Sequence, residues 1–132
     1  MSRRSDHLLA AMFGEDLNIT HNPTAGTTCV ATLTVPNGTK SRITLTSILV
    51  SETNVTATDH TAIVSVRAAS IAGTVLAQHQ MIVRFGDYDG LVWPCYISAP
   101  VGQDIVIEFG TPAASITQKV AACGYVDRQR NV

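Results

Sequence analysis

The chain has 132 residues and a formal charge of −1, from nine Lys and Arg against ten Asp and Glu. Charged residues make up 14% of it, against roughly 25% in an average soluble domain. That size fits one domain with one core, and that balance excludes the concentrated basic face that a nucleic-acid partner requires. Arg3-Arg4 and Arg128 with Arg130 are the only basic clusters, and at the two ends of the chain they read as solubility charges. No apolar run approaches the roughly 20 residues needed to span a bilayer. Leu8 to Phe13 is too short for a secretory leader and runs into Gly14-Glu15-Asp16, so synthesis in the cytoplasm is expected.

Residues 1–23 are expected to form an arm and linker. Ser5-Asp6 can cap a short helix that Gly14 ends, with Leu8, Leu9, Met12 and Phe13 as its apolar stripe. A helix this short is not stable alone in water, so it needs a surface to lie on. That surface is either its own domain or a neighbouring subunit.

Residues 24–132 read as the folded domain. Cys29, Ala31, Leu33 and Val35 alternate with threonines, the pattern of a half-buried strand. Pro36-Asn37-Gly38 then turns the chain, Asn-Gly being a strong hairpin signal. In Ser41 to Ser51, Ile43 and Leu45 fall on one face while Ile48 and Val50 fall on the other. Either a bulge intervenes near Ser47, or the far end is covered on both faces. Thr61 to Ala68 carries Ala62, Val64, Val66 and Ala68 in phase, and Gly73 to Phe85 is a long strand with an expected bend near Gln78-His79-Gln80.

Gly86 to Gly90 reads as the next turn, followed by Trp93-Pro94-Cys95-Tyr96. Pro94 has no amide hydrogen, so its strand lies at a sheet edge or is interrupted there. Gln103 to Phe109 and Ser115 to Tyr125 complete the set. The pattern predicts an all-β protein, a single β-sandwich or jelly roll of about seven to eight antiparallel strands.

Few residues suggest chemistry. Asp87-x-Asp89-Gly90 is the best candidate for calcium, but Val92 to Pro100 supplies no closing carboxylate, and a plain turn explains the stretch. The histidines at 7, 21, 60 and 79 have no paired spacing, and His79 shares the phase of Val75, Ala77 and Met81. Cys29, Cys95 and Cys123 are too widely spaced to define a disulfide framework. Cys95 and Cys123 have no local partner that would make a nucleophile. Three Asn-x-Thr acceptor patterns, at Asn18, Asn37 and Asn54, fit chance in a Thr-rich chain. No cofactor is implied, and the protein is expected not to be an enzyme. Tyr88, Trp93 and Tyr96 concentrate around one turn in a chain that is only 5% aromatic. They form either an interface or ligand corner, or, for Trp93, part of the core.

The Thr-rich strand Lys40 to Val50, the run Pro100-Val101-Gly102-Gln103-Asp104-Ile105-Val106-Ile107-Glu108 and the closing Val120-Ala121-Ala122-Cys123-Gly124-Tyr125-Val126 resemble the small β-sandwich virion proteins of tailed bacteriophages. The resemblance covers about residues 40–126. It implies a capsid decoration, fibre or tail accessory protein located in the virion, a homo-oligomer with a trimer favoured. It further implies partners among the major capsid or tail proteins. The alternative is a carbohydrate- or receptor-binding module that uses the same aromatic corner.

Overall fold

The computed structural model describes residues 16–21, 26, 28–35, 40–110 and 115–128. Its strands are β1 (Asp16–His21), β2 (Cys29–Leu33), β3 (Ser41–Asn54), β4 (His60–Ala68), β5 (Val75–Val83), β6 (Asp87–Ser98), β7 (Ile105–Phe109) and β8 (Ile116–Arg128). No α-helix occurs among the described residues. The strands form two four-stranded sheets, ordered β1-β8-β3-β6 and β2-β7-β4-β5.

The order has a simple origin. The first strand pairs with the last, the second with the seventh, the third with the sixth and the fourth with the fifth, all antiparallel. The chain is thus one long hairpin with its tip between β4 and β5. Rolling that hairpin brings β8 beside β3 and β7 beside β4, which is a jelly roll.

Alternation explains the core between the sheets. Cys29, Ala31 and Leu33, then Ala62, Val64, Val66 and Ala68, then Ile105, Ile107 and Phe109 are buried, as their period of two predicts. Each large aliphatic or aromatic side chain among them contributes about 1.5–3 kcal/mol.

In β3 the predicted change of phase is a bulge. Leu45 and Ser47 stand opposite consecutive residues of β8, Gly124 and Cys123, which leaves Thr46 as the extra residue of that pair; against β6 they stand opposite Ile97 and Pro94, so there Cys95 and Tyr96 lie opposite the single Thr46. Ile43, Leu45, Ile48 and Val50 therefore all face the core. The bulge also explains Gly124, which lies opposite Leu45. A Cβ there would run into the Thr44 carbonyl oxygen.

Three sequence-based boundaries are corrected. Residues 16–21, placed in the arm and linker, form β1 and pair along their whole length with β8, from Asp16 opposite Tyr125 to His21 opposite Val120. The irregularity in β5 lies at Leu76, where the register with β4 shifts, whereas Gln78-His79-Gln80, the place expected for a bend, pair regularly with β4. The turn before β6 is centred on Phe85 and Gly86: Asp87 N donates to Arg84 O at 3.2 Å, and Gly86 has φ 71°, which suits glycine. Asp87 to Gly90 consequently belong to the strand. The placement of Pro94 on an edge is borne out, since among the described residues β6 pairs only with β3. The proposed helix with Leu8, Leu9, Met12 and Phe13, and the Pro36-Asn37-Gly38 turn, lie outside the described residues.

Gly124→Ala should lower the free energy of unfolding by roughly 1–3 kcal/mol in a urea titration. The control is Gly90→Ala, whose Cβ would meet nothing nearer than Val50 O at 3.4 Å. It should stay within about 0.5 kcal/mol of the parent.

Candidate functional site

β6 divides its side chains between two environments. Leu91, Trp93, Cys95 and Ile97 turn inward against the core. Tyr88, Val92 and Tyr96 turn outward and are 64%, 66% and 74% exposed. Antiparallel register extends this outer face across the sheet. Val92 stands beside Leu49, which stands beside Ala121, and Pro94, Ser47 and Cys123 form the next row. In the third row Tyr125 stands opposite Thr44, and its hydroxyl meets that of Tyr96, from the irregular stretch of β6, at 2.8 Å. Because Tyr125 is on β8 and Tyr96 on β6, the pair arches over β3.

On β6, β3 and β8 these three rows hold no charged residue; Asp16 of β1 stands opposite Tyr125, at the margin of the third. Charges stand at their two ends, Lys119 one row beyond Ala121 and the Arg42–Asp127 pair at 3.4 Å beyond Tyr125. That pair is about two-fifths exposed on each side and adds little to stability. Several polar groups within the rows are already matched. Ser47 Oγ lies 2.7 Å from Cys123 Sγ, Thr46 Oγ1 donates to Cys123 O at 3.2 Å, and Thr44 Oγ1 lies 2.8 Å from Ser98 Oγ. The Tyr96 hydroxyl, with burial as a lesser cause, holds the Tyr125 phenol above its ordinary pKa. The result is a broad outer face with exposed aromatic and aliphatic groups and a charge-free centre. Such composition characterises interface cores.

The structure does not bring the predicted aromatic corner together. Trp93 faces inward and packs against His79 of β5, ring centroids 5.8 Å apart at 44°. Tyr88 and Tyr96 share the outer face but stand eight residues apart along β6, which is roughly 26 Å in an extended strand. Asp87 and Asp89 each accept a hydrogen bond at 2.8 Å from the backbone amide of the following residue. No group of three or more His, Cys, Asp and Glu side chains with metal-binding spacing occurs among the described residues.

A polar cluster that sequence reasoning did not single out lies at the end of the sandwich near the β3–β4 loop. Glu52 is fully buried. Its carboxylate oxygens lie 3.0 and 2.9 Å from His60 Nδ1, and Gln118 Nε2 donates to Oε1 at 2.7 Å. Asn54, also fully buried, donates to Thr58 O and Val83 O at 3.0 Å and accepts from Thr56 N at 2.9 Å. The cluster joins β3 and β8 of one sheet to β4 of the other. Its sequence signal was available: once the bulge is placed at Thr46, Glu52 and Asn54 continue the inward phase of Ile48 and Val50.

No disulfide links the three cysteines. Burial pushes the Cys29 thiol up to about 11. Burial also raises Cys95, with nearby Cys123 adding to it.

No family model matches the chain, and no curated protein matches it. Among solved structures, the chain is similar to a CBM4 structure at 10% identity, with 85% of this chain and 71% of that chain covered and a TM-score of 0.42. It is similar to a structure of Bacillus endospore appendages, described as disulfide-linked pili, at 15% identity, 88% and 87% coverage and a TM-score of 0.35. It is also similar to the Tobacco streak virus coat protein at 7% identity, 89% and 90% coverage and a TM-score of 0.35. At these identities the likeness concerns the fold alone.

His60→Ala should cost about 1–3 kcal/mol of stability in chemical denaturation, because the buried carboxylate keeps only the Gln118 amide. Glu52→Gln should cost less, since it removes the buried charge and retains an acceptor for Gln118. A Cys95→Ser/Cys123→Ser variant, which retains Cys29, should give no reaction with a thiol reagent at pH 8 while folded. The raised pKa leaves little thiolate and burial denies access. The same variant should react fully in denaturant.

Proposed function

We propose that this chain is a non-enzymatic structural subunit of a virus particle, which self-associates and binds its particle neighbours through the outer face of the β1-β8-β3-β6 sheet. The observation that carries this reading is the uncharged surface that β6, β3 and β8 form around Val92, Leu49 and Tyr96. A large exposed apolar area costs free energy in water and is retained where another protein covers it. A complete jelly roll supports the reading because its rigid sheets can present such a face without rearrangement. In the finer form suggested by the sequence resemblance, the subunit is a tailed-bacteriophage decoration, fibre or tail accessory protein, with a trimer as the expected oligomer.

A second reading, a carbohydrate- or receptor-binding module, draws on the exposed rings of Tyr88 and Tyr96. It no longer draws on Trp93, whose ring is turned to His79.

Light scattering on the purified chain over a range of concentrations should give a discrete oligomer. Val92→Asp/Tyr96→Asp should shift that oligomer toward the single-chain mass while leaving the melting temperature nearly unchanged, because both side chains are mostly exposed. A parent protein that remains a single chain at every concentration and binds a glycan through Tyr96 would replace the assembly reading with the second one.

A further inference from the structure

The four terminal strands of the two sheets differ in how their free edges are guarded. β6 carries Asp87, Asp89, Gly90 and Pro94, residues that discourage the addition of another strand. β1 contains Asp16 and lies against the short β2. β5 carries none of these devices. Val75–Val83 contains no Asp, Glu, Lys, Arg, Pro or Gly, and its only strand partner among the described residues is β4. A long uncharged edge strand is a template for strand addition.

We infer that β5 is a docking edge for β5 of a second copy of this chain, the two strands running antiparallel about a two-fold axis. The inference rests on the self-association reading above and assigns one of its contacts. Charge points to a second copy. In a two-fold antiparallel pairing the side chain at the axis meets its own counterpart and those next to it meet across the axis, so a charged residue near the axis would face a like charge. β5 has no Asp, Glu, Lys or Arg there, and its one titratable side chain, His79, is packed against Trp93.

The outward side chains fit the same arrangement. Gln80 is exposed, and an amide both donates and accepts, which makes it complementary to itself. Ile82, 58% exposed, stands opposite Gln78 of the other copy when the pairing is centred on Gln80, and the methylene stem of that glutamine lies beside it. The irregularity at Leu76 ends the regular edge, so the paired stretch is 77–83. Its midpoint is Gln80, which sets Gln80 of one copy opposite Gln80 of the other.

The test combines hydrogen exchange with light scattering on the full chain. Backbone amides of β5 that point away from β4 should exchange more slowly in concentrated than in dilute protein. Gln80→Lys/Ile82→Lys should raise the dissociation constant at least about tenfold, because it sets like charges against each other across the axis. Thr61→Lys/Ile63→Lys, on the same sheet face but on interior strand β4, should change it far less.

An oligomer whose β5 amides exchange at the same rate at all concentrations would overturn the edge assignment while leaving self-association standing. Equal weakening by the two lysine pairs would also overturn it, in favour of a face contact. A single-chain mass at every concentration would overturn both the edge assignment and the self-association reading.

Discussion

The extra residue at Thr46 sets what the rest of the structure can bury. β3 is the interior strand on which β6 and β8 are both laid, and its first half enters with Ile43 and Leu45 facing the core. Without an insertion, period two would turn Ile48 and Val50 to solvent and bring Ser47 and Leu49 inward. The bulge removes that conflict. It also places Glu52 and Asn54 inside, where they acquire His60, Gln118 and the loop carbonyls as partners. On the opposite face it brings Leu49 into line with Val92 and Ala121. The apolar outer surface and the buried polar cluster are two results of one inserted residue.

The same insertion constrains the neighbouring strand. Where β3 is displaced, the Thr44 carbonyl approaches β8 so closely that only glycine fits at position 124. Thus the Gly124-Tyr125 pair has a mechanical role on each side of the sheet. The glycine admits the bulge beneath, and the tyrosine after it alternates outward to meet Tyr96 across β3. The resemblance to virion modules had included this dipeptide as pattern; its cause in this chain is the crowding of one backbone against another.

Local signals were legible in the sequence wherever they depended on period two or on one residue's covalent chemistry. The inward faces of β2, β4 and β7 follow from alternation, and the edge position of β6 follows from the missing amide hydrogen of Pro94. The phase change in β3 pointed to a bulge because four large aliphatic side chains could not otherwise share a core. β1 was not legible, since Leu17 and Ile19 are too few to show a period and β1 is defined by its pairing with β8. Closeness in sequence misled for the aromatics: Trp93 and Tyr96 are three residues apart, an odd separation, so a strand sends them to opposite faces. The outer surface was hidden for the opposite reason. Leu49, Val92 and Ala121 are distant in sequence and meet only through register, which no single segment encodes.

The placement of the two proposed contacts bears on what the subunit can build. A protein with one two-fold contact closes as a dimer and stops there. Strand addition at β5 would extend the β2-β7-β4-β5 sheet in its own plane, whereas packing on the outer face of the β1-β8-β3-β6 sheet would act along the normal of the other layer. Two contacts in different directions allow one copy to engage more than one neighbour at once, the minimum a lattice or closed shell requires. The low charge of the chain fits such a role, since a surface that repeatedly meets copies of itself is destabilised by any residue that would face its own like charge.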